Sequence, residues 1–125
     1  MTKKTKQQKE EKNNLVNLIV MGLEEKKAKD ITILDLRELP NAVCQFFVIA
    51  TGDSTTQVAS LSDSVYDTVF KEAKEKPWHI EGEQNAEWVL VDYSDVVCHI
   101  FLPEVREFYG IEDLWADAQI TRIEN

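Results

Sequence analysis

The chain has 125 residues, 43% hydrophobic and 30% charged, enough for one domain that buries roughly two-thirds of its unfolded surface. Its apolar runs are strand-sized, as at residues 46–50, so no stretch is expected to span a membrane, and the Lys- and Gln-rich start lacks the apolar core of a secretory signal. The formal net charge of −9 is uneven: residues 1–12 are net basic and residues 13–125 strongly acidic, which disfavours direct binding of nucleic acid and suits a basic protein partner.

Residues 1–12 are polar, show no periodicity and read as a flexible Lys-rich tail before a single domain over 13–125. From Asn13 or Asn14, either a suitable N-cap, Leu15, Leu18, Ile19, Gly22 and Leu23 follow the spacing of an amphipathic helix. Lys26, Lys27 and Lys29 suit the negative pole at its end. Residues 31–36 predict a short strand that Pro40 stops, and residues 46–50 are apolar at successive positions, as in a strand covered on both faces. Gly52-Asp53-Ser54 then opens a helix. Ser54 and Gln57 have the spacing of a capping box, and Val58, Leu61, Val65, Val69 and Ala73 form one stripe that ends before Pro77. Residues 78–81 suggest a brief strand, with Gly82 and Asn85 turning the chain.

Residues 88–102 read as two strands folded back around Tyr93-Ser94. Side chains alternate across a sheet, so Val89, Val91, Val96, Cys98 and Ile100 form a core set. Trp88, Leu90, Asp92, Val97, His99 and Phe101 point the other way, an aromatic face to be covered by a helix or kept for a partner. Pro103 suits the first turn of a helix over 104–109, and Ile111, Leu114 and Trp115 close the chain. Helices interleaved with strands predict an α/β (mixed α+β) domain, a single mixed sheet flanked by helices.

Catalytic chemistry finds little support. Gly52-Asp53-Ser54 could offer N–H groups to an anion, but no phosphate-loop Lys-Ser/Thr or G-x-G-x-x-G accompanies it, and a helix cap accounts for these residues. Asp92 and Asp95 flank a turn, where Asp is favoured for local hydrogen bonds, so metal binding is not required of them. Cys98 and His99 are adjacent in a strand and face opposite sides, which defeats chelation or a Cys/His catalytic pair. Cys44 and Cys98 fit buried free thiols of a cytosolic protein.

Glu81-Gly82, the run AEWVLVDYSDVVCHIF from Ala86 to Phe101, Arg106-Glu107-Phe108-Tyr109, Leu114-Trp115, and FFVIATGDS at 46–54 closely resemble the ribosomal silencing factor (Iojap-like) family over about residues 14–116. Two departures stand out: Ser94 occupies a turn position where the family usually has Gly, and Cys98 a position where Val is usual. The resemblance implies a nucleotidyltransferase-like fold without catalytic carboxylates, no enzymatic activity and no cofactor. It implies binding to large-subunit ribosomal protein fourteen in the cytoplasm, a steric block on joining of the small subunit, and repression of translation under nutrient limitation. Positions matching the family's binding surface are Trp88, Tyr93, His99 and Phe101, with Asp92 and Asp95 beside them. Rival expectations are an adaptor for assembly of the large subunit, and a nucleotidyltransferase-like enzyme using Gly52, Asp53 and Asp92. A homodimer through the hairpin face is the other occupancy that this face allows when the protein is free.

Overall fold

The computed structural model describes the backbone of residues 2–124 and the side chains of residues 14–124. Its elements are α1 (Thr2–Glu25), β1 (Lys29–Asp35), β2 (Phe46–Thr51), α2 (Thr55–Ala73), β3 (His79–Glu81), β4 (Trp88–Asp92), β5 (Val96–Phe101), α3 (Pro103–Tyr109), α4 (Ile111–Leu114) and β6 (Gln119–Arg122). The strands form one six-stranded mixed sheet in the order β3-β4-β5-β2-β1-β6. Only β2 and β5 pair in parallel, and the other neighbours are antiparallel. Both central strands are buried at every position, as their nearly continuous apolar runs require of strands covered on two faces.

Val16, Ile19 and Leu23 of α1 and Val58, Leu61, Val65 and Val69 of α2 pack on one face of the sheet, against Val48, Ala50 and the expected hairpin core set Val89, Val91, Val96, Cys98 and Ile100. A second cluster lines the opposite face: Leu34, Phe47, Ile49, Val97 and Phe101, under Leu36, Val105, Ile111, Trp115 and Ala118. Alternation therefore sorted the hairpin correctly, with one face under two long helices and the other under a thinner layer from the end of the chain.

Two sequence expectations need correction. The helical backbone of α1 starts at Thr2, well before Asn13 and Asn14, because Lys, Gln and Glu are themselves good helix formers and need no apolar stripe. Ala73 is exposed, since α2 has run past the sheet by its last turn. The sequence also did not suggest β6. Its four residues are exposed, and it exists by pairing with β1, Thr32 opposite Arg122.

The two long helices are locked together by backbone-level contacts. Lys27 takes a left-handed φ of 63°, and the Lys27 and Ala28 N–H groups donate back to the Glu24 and Leu23 carbonyls, the hydrogen-bond pattern of a Schellman stop. Gln57 then donates from Nε2 to the Lys26 and Lys27 carbonyls at 3.2 and 3.3 Å, so the first turn of α2 caps the end of α1. Further along, the Ser64 hydroxyl donates to the Gly22 carbonyl at 2.7 Å, and a Cβ at Gly22 would lie 2.9 Å from Val65 Cα. Neither partner there is a movable side-chain tip, so Gly22→Val is expected to cost about 1–3 kcal/mol or more by overpacking. An unchanged urea midpoint would contradict this account of the α1–α2 contact.

Candidate functional site

The cross-strand pairs Trp88–Phe101, Leu90–His99 and Asp92–Val97 set the outer face of the hairpin, and pairing of β3 with β4 adds His79 and Glu81 to it. Trp88 stacks on Phe101 with ring centres 4.8 Å apart, and its indole N–H donates to His99 Nδ1 at 3.1 Å. Phe47 and His99 meet in a T-shaped arrangement with ring centres 4.6 Å apart. On the solvent side Tyr109 of α3 lies 4.9 Å from Trp88, and Phe108 lies 5.1 Å from Tyr109. An aromatic chain thus runs from the interior at Phe47 to the surface at Phe108.

The residues expected from sequence divide along this chain. Trp88 is half-buried and reaches the surface, whereas Phe101 is fully buried and His99 is 5% exposed, so these two support the face from beneath. Tyr93 requires a correction: it is 4% exposed and belongs to the core under α1 and α2, on the opposite face of the sheet. Its hydroxyl has no hydrogen-bond partner among the described residues, and burial pushes its pKa well above the ordinary phenol value. Asp92 and Asp95 sit at the hairpin turn, the far end from Trp88. Asp92 Oδ1 accepts the Ser94 N–H at 2.7 Å, and Ser94 takes a φ of 75°, so the turn holds a left-handed serine through this local hydrogen bond. Asp92 Oδ2 also lies 3.6 Å from His79 Nε2.

Sequence reasoning missed the surface end of the aromatic chain. Phe108 is 81% exposed, Tyr109 55% exposed, and Leu114 is exposed nearby. The available signal was the place of Phe108 and Tyr109 in the family-like run Arg106-Glu107-Phe108-Tyr109, with Glu104 and Glu107 beside Phe108. With Gly82, Asn85, Glu87, Trp88, Glu104 and Val105, these two aromatics line a groove of about 480 Å³.

Arg106 fixes α3 over this face. Its side chain is 10% exposed, and its Nε and Nη2 donate to Glu112 at 3.1 and 2.8 Å. Nη1 donates to the Asp30 carbonyl and the Thr51 hydroxyl, both at 2.8 Å, and Nη2 also reaches the Thr32 hydroxyl at 3.1 Å. Hydrogen bonds from Arg106 hold the Glu112 carboxyl below the ordinary value. In the polar crevice beside it Lys29 pairs with Asp53 at 2.8 Å, and Arg122 lies 3.7 Å from the same Glu112 that Arg106 holds.

Burial lowers the pKa of His99 to about 4, opposed in part by the Asp92 charge. Below the unfolded value near 6.5 the unfolded chain binds the proton more readily, so this group's contribution is complete above that pH and is lost as the pH falls toward 4. The loss should be on the order of 3 kcal/mol. Urea unfolding from pH 7 to pH 4 should show a shallower decline for His99→Gln than for the wild type. Parallel curves would contradict a buried neutral imidazole.

The catalytic alternatives meet geometric obstacles. The Asp53 N–H donates to Gln57 Oε1 at 2.7 Å, and Ser54 Oγ accepts the Gln57 N–H at 3.1 Å, so the start of α2 is capped from within. Gly52 follows the end of β2 beside Phe101, whereas Asp92 sits across from Val97 and Phe47, a separation along the strands on the order of 16 Å. Those carboxylates do not converge. Cys98 lies in the core under the helices and His99 beneath the outer face. Cys44 and Cys98 are free, and burial pushes both thiols up, Cys44 to about 11. Among the described residues no group of three His, Cys, Asp or Glu is placed to hold a metal, and no helix is long and apolar enough to cross a membrane.

Comparison with known proteins places this geometry in a family. The profile described as "Ribosomal silencing factor during starvation" matches residues 8–125. The ribosomal silencing factor RsfS of Chromobacterium violaceum is 46% identical over 98 residues, covering 78% of this chain and 79% of that protein. A crystal structure of a Chromobacterium violaceum protein superposes with a TM-score of 0.78 at 43% identity, covering 83% of this chain and 85% of the other. The mouse protein named "Mitochondrial assembly of ribosomal large subunit protein 1" is 30% identical over 117 residues, 86% of this chain and 50% of that one.

Proposed function

The chain belongs to the ribosomal silencing factor family, and on that premise we propose that it binds the large ribosomal subunit through large-subunit ribosomal protein fourteen. Seated there, in the cytoplasm, it occupies the face where the small subunit docks and lowers translation when nutrients are scarce. The mechanism is steric occlusion, with no bond made or broken. The observation that carries the reading is the exposed aromatic end of the hairpin face: Phe108 and Tyr109 beside Trp88 in a strongly acidic chain. Aromatic anchors within a charged rim are what a protein interface concentrates its binding energy on, and a basic ribosomal protein supplies the complementary charge. Trp88, Phe108 and Tyr109 make the contact in this reading. His99 and Phe101 hold Trp88 in place, and Asp92 and Asp95 steer from the turn end.

Purified protein mixed with isolated ribosomal protein fourteen should form a complex by size-exclusion chromatography that weakens as salt is raised. Separate elution of the two at low salt would contradict the reading. The name of the mouse relative favours a second reading, an adaptor for assembly of the large subunit through the same face. Sucrose-gradient profiles of a strain lacking the protein separate the two: immature large particles support assembly, and normal particles with excessive joining in starvation support silencing.

A further inference from the structure

We infer that the groove between Trp88 and α3 is a receptor for an arginine side chain of the partner, an assignment that rests on the ribosomal-protein reading above. The lining residues Gly82, Asn85, Glu87, Trp88, Glu104, Val105, Phe108 and Tyr109 include two carboxylates and three aromatic rings, but no Lys or Arg. Its cationic neighbour on the same helix, Arg106, turns away and spends its donors on Glu112, Asp30, Thr32 and Thr51. Among the described residues, therefore, no cation neutralises the groove from its walls. Glu87 and Glu104 are exposed, and so are the Phe108 and Tyr109 rings. A neutral aliphatic group would leave both carboxylates unsatisfied at a dry contact. A lysine offers a compact, strongly hydrated charge. A guanidinium is planar, weakly hydrated and forked, so it can lie against an aromatic ring while donating to a carboxylate at its edge. The groove thereby specifies the chemistry of its occupant as well as its sign.

The test titrates the whole protein, with its tryptophan indoles labelled for NMR, with an acetylated, amidated tri-arginine peptide and with its tri-lysine counterpart. The Trp88 indole signal, assigned with Trp88→Phe, should shift saturably with tri-arginine and bind tri-lysine roughly threefold more weakly or worse. Glu87→Gln with Glu104→Gln, and separately Phe108→Ala, should each weaken tri-arginine by about threefold or more. The control Asp63→Asn with Asp67→Asn on α2 should leave it unchanged. An unmoved Trp88 signal, equal binding of the two peptides, or equal binding by the groove variants overturns the inference and leaves only general attraction to an acidic surface. Co-sedimentation of the same variants with large ribosomal subunits keeps the two levels apart. If the wild type binds subunits and the groove variants bind equally well, the groove assignment falls and the family reading stands. If tri-arginine saturates the groove but the wild type ignores large subunits, the ribosomal reading falls and the arginine receptor stands.

Discussion

Arg106→Ala is expected to lower stability by about 2–3 kcal/mol, because it removes a mostly buried guanidinium and its hydrogen bonds to a half-buried carboxylate. The guanidinium makes both contacts to Glu112 and reaches two threonine hydroxyls and a backbone carbonyl on β1 and β2. Alanine removes the closest donor from each of these at once and leaves Glu112 only the longer contact with the exposed Arg122. Arg106→Lys should recover little, since a single ammonium cannot span Glu112, Thr51 and Thr32 together. Urea unfolding measures the loss, and a change below about 1 kcal/mol would show that the network is no more than a surface ion pair. The variant should also bind the large subunit weakly while still folded, because Phe108 and Tyr109 are carried by the helix that Arg106 anchors.

Trp88→Ala is expected to weaken binding to the large subunit by about 2 kcal/mol or more, roughly thirtyfold. It should also destabilise the fold, by about 2–3 kcal/mol, somewhat less than for a fully buried Trp. That second cost follows from the structure: the indole packs on Phe101 and supplies the hydrogen bond to His99 Nδ1. Trp88→Phe helps separate the two effects, as it keeps an aromatic ring against Phe101 while removing the N–H donor and the indole's smaller ring. Binding titrations on the folded fraction of both variants check this, and wild-type affinity in Trp88→Ala would remove Trp88 from the contact.

The sorting of the hairpin was legible because strand period two leaves little choice once both arms are recognised. Tyr93 illustrates how that same rule was under-used. It continues the spacing of Val89 and Val91, which points it to the helix-covered side, although the family resemblance had counted it with the binding surface. Phe108 and Tyr109 were within the quoted family pattern, yet their exposure depends on where α3 lands. That landing is set by Arg106 reaching Asp30, Thr32 and Thr51, residues 55–76 positions earlier, which no local periodicity encodes. β6 was invisible for a related reason: an exposed Gln-Ile-Thr-Arg becomes a strand only because the edge of β1 is free to pair. By contrast the Ser54 cap on α2 was readable, since the bonded groups are three residues apart. The longer reach of Gln57 to the end of α1 was not.

The most direct test of the account is sedimentation of mixed large and small ribosomal subunits with purified protein, wild type beside Phe108→Ala. Phe108 is so exposed that its loss should leave the fold intact, so any change reports the contact. The account predicts that the wild type travels with the large subunit and suppresses joined ribosomes, while Phe108→Ala is displaced and joining recovers. Wild-type protein that stays at the top of the gradient, or that rides on large subunits while joining proceeds undiminished, would contradict it.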